Sequence, residues 1–198
     1  MSTPQLERLR EHCHQLRLYQ VENELTARLE QAAKKEISYA EFLDELLALE
    51  VGSKAQKHHQ MRIAMARFPF QKTLESFDFK FQPSIDPKQI RELATGRYMQ
   101  SGDNVLFLGP PGVGKSHLAV ALGMKACEQG VRTLFSSATA LIAMLGKALA
   151  EGRLEERLKL LSQPQLLIID EIGCAPRGAD VPRGAKAPPA TDAAVARS

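Results

Sequence analysis

One stretch decides the fold of this chain: Gly109-Pro110-Pro111-Gly112-Val113-Gly114-Lys115-Ser116. It matches the phosphate-loop pattern G-x-x-x-x-G-K-[ST] at every position. The residues before it, 104–108, are an apolar run rich in β-forming side chains, and residues 117–127 have the apolar spacing of a helix. A strand, a glycine-rich turn and a helix in this order are the setting in which the pattern binds nucleotide phosphates.

Each residue type in this loop has a physical task. The glycines let the backbone turn tightly and bring its N–H groups onto phosphates, and the helix that follows presents its positive end to the same anions. We expect Lys115 to reach the β- and γ-phosphates and the Ser116 hydroxyl to bind Mg²⁺. The predicted nucleotide-binding residues are Gly109, Pro110, Pro111, Gly112, Val113, Gly114, Lys115, Ser116 and His117.

A second motif follows further along the chain, where residues 165–169 lead into Asp170 and Glu171. Consecutive Leu and Ile residues without alternation indicate a strand that is buried on both faces. Ligands of parallel sheets bind at the carboxyl ends of the strands, and this strand ends in two acids. The pattern fits a Walker-B strand, in which Asp170 holds Mg²⁺ and Glu171 orients the attacking water. Without the loop upstream, the two acids would be interpreted only as an exposed strand end.

The composition of the 198 residues is that of an ordinary soluble domain, with 44% hydrophobic and 25% charged residues. No apolar run reaches the roughly 18 to 20 residues that a membrane span requires, and the N-terminus lacks the apolar core of a secretory signal. The three cysteines, Cys13, Cys127 and Cys174, are far apart and show no metal-binding spacing. These features predict a cytoplasmic protein without a membrane partner.

Residues 1–68 are predicted to form a helical N-terminal region. Ser38-Tyr39-Ala40-Glu41 is a capping box, and the residues after it predict a buried stripe formed by Phe42, Leu43, Leu46, Leu47 and Val51. Residues 69–103 form a connector, in which aromatic side chains favour docking onto the next domain, and a helix that Asp86-Pro87 opens. Residues 177–198 contain no Leu, Ile, Met, Phe or Tyr, and we expect this tail to be disordered.

A stretch without acidic residues extends from Gly52 to Leu74. On a helix, several of its basic side chains fall along one side and predict a stripe for nucleic-acid phosphates. The alternative is a solvated face whose acidic partners lie in the preceding helix, and the charges alone do not decide between the two. The candidate DNA-contacting residues are Lys54, Lys57, Arg62 and Arg67.

Three short connector segments add specificity to the two motifs: Arg-Phe-Pro at 67–69, Lys-Thr-Leu-Glu at 72–75 and Phe-Asp-Phe at 77–79. Together with the phosphate loop and the run 167–173, they make the chain resemble the IstB-like ATP-binding proteins of insertion-sequence transposition, which are related to the helicase loader DnaC. The resemblance implies an AAA+ ATPase that uses ATP and Mg²⁺, with Lys115 and Glu171 as catalytic residues. It further implies a homo-oligomer on double-stranded DNA that delivers the DNA to a transposase.

The fold that this resemblance implies is α/β, with a helical N-terminal region followed by an incomplete P-loop AAA+ parallel sheet and flanking helices. Residues 104–176 match part of the AAA+ core, and nothing after Pro176 matches, so we expect a C-terminally truncated member. The absent fourth strand would leave the strands at 104–108 and 165–169 facing an empty slot. One alternative function is therefore a remnant that binds ATP without productive turnover. A P-loop kinase is a further alternative, although no acceptor-binding lid is visible.

Overall fold

The computed structural model describes residues 3–172 and the backbone of 194–197. Gly173, Cys174, Pro176 and most of the tail predicted at 177–198 lie outside these residues. The chain divides into two compact units, Met1–Gln60 and Met61–Ser198. Within the described residues, no helix combines the length and the apolar character needed to cross a membrane.

The first unit is helical, as predicted. It contains α1 (Thr3–Gln15), α2 (Tyr19–Lys35) and most of α3 (Tyr39–Ala66). The Ser38 half of the capping box before α3 is confirmed, because the Ser38 hydroxyl accepts a hydrogen bond from the Glu41 amide at 3.2 Å. Helix α2 ends at Glu36, whose left-handed backbone (φ 52°) stops the helix.

The core of the first unit is formed by Val21 and Leu25 of α2 and Leu46 of α3. The predicted buried stripe on α3 is partly wrong. Leu43, Leu47 and Val51 are 55%, 45% and 67% exposed. Phe42, Leu46 and Glu50 lie along the side of α3 that packs against the other two helices, which leave the neighbouring positions in solvent.

Helix α2 receives its N-terminal cap from another helix. Leu18 occupies the N-cap position and provides no side-chain acceptor. The Glu50 carboxylate of α3, which is 4% exposed, accepts the amides of Gln20 at 2.7 Å and Val21 at 3.2 Å through its Oε2. Burial alone would raise the pKa of Glu50, but these amides and the Lys54 ammonium, 3.5 Å from Oε1, outweigh it and hold the pKa below its ordinary value.

The second unit is a mixed α/β structure with a small parallel sheet. Asp86 caps its first helix by accepting the Lys88 amide at 2.8 Å, and Pro87 starts that helix, as the sequence predicts. In chain order its elements are α4 (Pro87–Ala94), α5 (Arg97–Ser101), β1 (Val105–Leu108), α6 (Lys115–Glu128), β2 (Thr133–Ser137), α7 (Ala138–Ala150), α8 (Leu154–Leu161), β3 (Leu166–Asp170) and β4 (Ala194–Arg197).

The strands pair in two separate ladders. β2 and β3 are parallel, with Thr133 beside Leu166 and Ser137 beside Asp170. Among the described residues, β1 pairs only with β4, which runs antiparallel to it. The expectation of a disordered tail is therefore wrong at 194–197. An open strand edge offers unpaired N–H and C=O groups to any extended segment, and the backbone can form this pairing without large apolar side chains.

Strand β3 is less buried than the sequence predicts. Its residues are half-buried, and Ile169 is 36% exposed, so the prediction of burial on both faces is wrong. Helix α6 covers one side, where Ile168 lies close to Gly123. Among the described residues, β3 pairs only with β2, so its other edge has no hydrogen-bonded strand.

The core of the second unit lies between α4, α5 and α6. Its least exposed members are Ile90, Leu93 and Leu118, and Phe77 and Phe79 of the connector pack against them. The predicted docking of connector aromatics onto the next domain is confirmed for these two rings. This core fixes the start of α6, which carries the phosphate loop.

Candidate nucleotide-binding site

The phosphate loop joins β1 to α6 in the order that the sequence predicts. Gly112 and Gly114 have φ angles of 84° and 91°, a left-handed region in which residues with a β-carbon are strained. Gly114 is also the N-cap of α6, and no side chain caps this helix end. The first-turn amides of α6 therefore remain available to an anion.

The Lys115 ammonium lies across its own loop. Its Nζ donates to the carbonyl oxygens of Gly109 at 2.9 Å and Pro110 at 2.7 Å. The ammonium is thus held at the loop that would surround the phosphates, and its contact with them stays a prediction. To contact phosphate oxygens, it would exchange two neutral acceptors for charged ones, which form stronger hydrogen bonds.

The two sequence motifs meet at Ser116 and Asp170. The Ser116 Oγ donates to the Asp170 Oδ1 at 3.0 Å, although 54 positions separate the two residues in sequence. The pair suits Mg²⁺, which prefers oxygen ligands and is usually held by one or two carboxylates together with substrate phosphates. Residues 3–172 contain no group of three or more His, Cys, Asp or Glu that could hold a metal ion without such phosphates.

Glu171 directly follows the end of β3. Its amide donates to the same Asp170 oxygen at 3.0 Å, and its φ angle is 60°. Left-handed backbone at a residue other than glycine costs on the order of 1–3 kcal/mol and is often found at functional sites. Glu171 is exposed, so its carboxylate is accessible from solvent at the edge of the site.

His117 was predicted to bind the nucleotide, but its side chain contacts the connector. Its Nε2 lies 3.0 Å from the Thr73 carbonyl oxygen, and its ring makes an edge contact with Phe77 at 5.1 Å between centroids. Only its backbone, in the first turn of α6, belongs to the loop. The remaining predicted loop residues differ in exposure: Pro110 and Pro111 are exposed, whereas Val113 packs against the core.

Two of the four predicted DNA-contacting residues have intramolecular partners. Lys54 forms an ion pair with Glu50, and the Arg62 Nε donates to the carbonyl oxygen of Cys127 at 2.9 Å. The acidic partner of Lys54 lies one turn earlier on α3, before the acid-free stretch. Lys57 and Arg67 are exposed on α3 and at its end. DNA binding by this set stays a prediction.

Sequence reasoning missed the role of Arg62 at the last turn of α6 and the position of Phe77 beside Gly114. A β-carbon placed on Gly114 would lie 2.5 Å from the Phe77 Cε2 atom. The Phe-Asp-Phe segment marked the connector as distinctive, but no pattern indicated that it lies against the phosphate loop.

Comparison with known proteins places the sequence in a family. Residues 11–180 match the family model described as IstB-like ATP binding protein. The protein named as the ATP-binding protein of insertion sequence IS21 in Pseudomonas aeruginosa is 53% identical over 148 residues, which are 75% of this chain and 56% of that protein. The corresponding protein of IS5376 in Geobacillus stearothermophilus is 43% identical over 167 residues, 84% of this chain and 66% of its own length.

A third relative, named for IS232 of Bacillus thuringiensis, is 38% identical over 161 residues, 81% of this chain and 64% of that protein. The chain therefore spans between about half and two thirds of the length of these curated relatives.

Proposed function

The chain belongs to the family of IstB-like ATP-binding proteins, and from this membership and the geometry of the loop we propose that it binds ATP with Mg²⁺ as an ATPase that assists insertion-sequence transposition. The observation that carries the proposal is the hydrogen bond between Ser116 and Asp170. It brings a hydroxyl from the phosphate loop and a carboxylate from the end of β3 to one place, as a magnesium–nucleotide site requires.

Each residue of the site has a part in this proposal. The loop amides and the first turn of α6 bind phosphate oxygens, and Lys115 turns from the carbonyls of Gly109 and Pro110 to the β- and γ-phosphates. Ser116 and Asp170 would hold Mg²⁺, which would neutralise charge on the phosphates. Glu171 orients the attacking water and accepts its proton.

The test of nucleotide binding is isothermal titration calorimetry of the full chain with ATP in the presence of Mg²⁺. Lys115→Ala is expected to weaken binding at least tenfold, about 1.4 kcal/mol, because a charged phosphate contact is lost. Lys125→Ala is the matched control, since this lysine lies on the same helix and bonds Glu128 at 2.6 Å. Equal affinities for the wild type and Lys115→Ala would contradict the proposal.

Binding without turnover is the second candidate function. It is favoured by the pairing of β1 with β4, which leaves the phosphate loop and the Asp170-Glu171 pair on strands of different ladders. Phosphate release by the wild type and by Glu171→Gln separates the two functions. If Glu171→Gln abolishes phosphate release but retains the affinity for ATP, the result supports hydrolysis. The absence of release from a wild type that binds ATP supports the second candidate.

The proposed helper function also includes ATP-dependent binding of double-stranded DNA, homo-oligomer formation and contact with an insertion-sequence transposase in the cytoplasm. The acid-free stretch at 52–74 supports the DNA part. Fluorescence anisotropy with a labelled duplex over a salt series tests it. Removing a lysine or arginine that contacts a phosphate lowers the log–log salt slope by about 1. An unchanged slope in both Lys57→Ala and Arg67→Ala would contradict the predicted stripe.

A further inference from the structure

The imidazole of His117 fastens the connector to the first turn of α6. The Thr73 carbonyl oxygen can only accept a hydrogen bond, so the proton of the 3.0 Å contact lies on the His117 Nε2. The Ser76 hydroxyl donates to the same carbonyl at 2.8 Å and accepts the Thr73 amide at 3.2 Å. It also lies 3.3 Å from the His117 Nε2. His117 therefore binds a turn that is already closed by its own hydrogen bonds.

This turn places the Phe77 ring against the phosphate loop. Phe77 follows Ser76 directly, makes edge contacts with both His117 and Phe79, and packs against the core of the second unit. A β-carbon built on Gly114 would lie only 2.5 Å from the Cε2 atom of the Phe77 ring. The Phe77 ring thus packs beside Gly114, whose backbone is the least restricted at the start of α6.

The same segment is fastened to α6 at two further points. Arg62 donates to the carbonyl oxygen of Cys127 in the last turn of the helix, and the Phe68 ring lies against Gly123 near its middle. Residues 62–77 therefore follow α6 from its last turn to its first. Of these contacts, the one made by His117 lies nearest the phosphate loop.

We propose that His117 is a positioning residue for the phosphate loop: it holds the Thr73–Ser76 turn on α6, so that Phe77 closes on Gly114 and keeps the loop in the conformation that accepts ATP. The inference rests on the proposed function and adds a residue that does not touch the nucleotide through its side chain. Gly112 and Gly114 can adopt many conformations, and a loop that is competent for only part of the time binds with proportionally lower apparent affinity.

Calorimetry with ATP and Mg²⁺ on the full chain tests the proposal. His117→Ala is expected to weaken binding about five- to twentyfold, the effect of losing one hydrogen bond together with its ring contact. His117→Gln is expected to restore affinity to within about threefold of the wild type, because its amide nitrogen can donate from the position of Nε2. His58→Ala, an exposed histidine of α3, is the control and is expected to bind as the wild type does.

Hydrogen–deuterium exchange of residues 109–116 without nucleotide gives a second readout. Faster loop exchange in His117→Ala, reversed in His117→Gln, supports the positioning role. Wild-type affinity and exchange in His117→Ala would overturn it, as would a glutamine variant no better than alanine in both measurements. If the wild type does not bind ATP, the proposed function is refuted. Comparing loop exchange in the wild type and the two His117 variants still tests the positioning role.

Discussion

Replacing Glu50 tests how the first unit is held together. Its buried carboxylate accepts two α2 amides through one oxygen, at 2.7 and 3.2 Å. Hydrogen bonds to a charged group contribute about 1.5–3 kcal/mol each and neutral ones about 0.5–1.5. Glu50→Gln can keep both amides on its carbonyl oxygen but loses the charge, which removes about 1–1.5 kcal/mol from each of the two bonds. A neutral amide costs less to bury than a carboxylate, so the expected net loss in the free energy of unfolding is about 1–2 kcal/mol. Glu50→Ala leaves both amides without an acceptor and is expected to cost about 2–4 kcal/mol.

Urea denaturation followed by circular dichroism measures these losses, and hydrogen exchange of the Gln20 and Val21 amides locates them in the first unit. Lys54→Gln is the control, because its ion pair is partly exposed and is expected to contribute less than about 1 kcal/mol. Equal stabilities of Glu50→Gln and Lys54→Gln would refute the reasoning.

The pH dependence of the same variants gives an independent check. Because the pKa of folded Glu50 is lowered, the carboxylate stabilises the fold above the pKa of the unfolded chain, and the stabilisation is lost as the pH falls through the folded pKa. The stability difference between the wild type and Glu50→Gln is therefore expected to be constant near neutral pH and to shrink in acid. A difference that grows in acid would contradict the assignment.

Two further pairs of variants test packing in the second unit and at its start. A β-carbon on Gly123 would lie 2.6 Å from Ile168, whereas Gly146 has open space, so Gly123→Ala is expected to lower stability by about 1 kcal/mol. Gly146→Ala is expected to raise it by about 0.5–1 kcal/mol, and thermal melts giving the same sign for both would contradict the packing at α6. Arg62→Met is expected to cost about 1 kcal/mol through its lost bond to α6, and Lys57→Met less than about 0.5. Denaturation curves that reverse this order would show that Arg62 has no structural role.

The features that the sequence predicts well are those encoded by neighbouring residues. The loop from Gly109 to Ser116 lies between a strand and a helix because β propensity, glycine conformation and helical periodicity each act over a few positions. The caps provided by Ser38 and Asp86 are local for the same reason. The proximity of Asp170 to Ser116 was expected because both motifs belong to one known pattern of nucleotide-binding sites, and their shared Mg²⁺ stays a prediction.

The features that sequence reasoning missed depend on partners far away in the chain. Glu50 reaches the α2 amide of Gln20 across 30 positions, and Arg62 reaches the carbonyl of Cys127 across 65. Charge patterning could show only that Arg62 is basic. Whether it meets DNA or a helix terminus is decided by tertiary packing. The pairing of 194–197 was missed for a related reason, because it depends on the open edge of β1 and not on the composition of the tail.

The bond between Ser116 and Asp170 has a consequence for unfolding. Strand β2 and helices α7 and α8 lie in the chain between these two residues. A ligand that binds both residues would link the two ends of this segment for as long as it stays bound. At a hundred times its dissociation constant, such a ligand stabilises the folded state by about 2.7 kcal/mol. The nucleotide concentration would then determine how fast a protease cleaves α7 and α8, although neither helix contributes a residue to the phosphate loop.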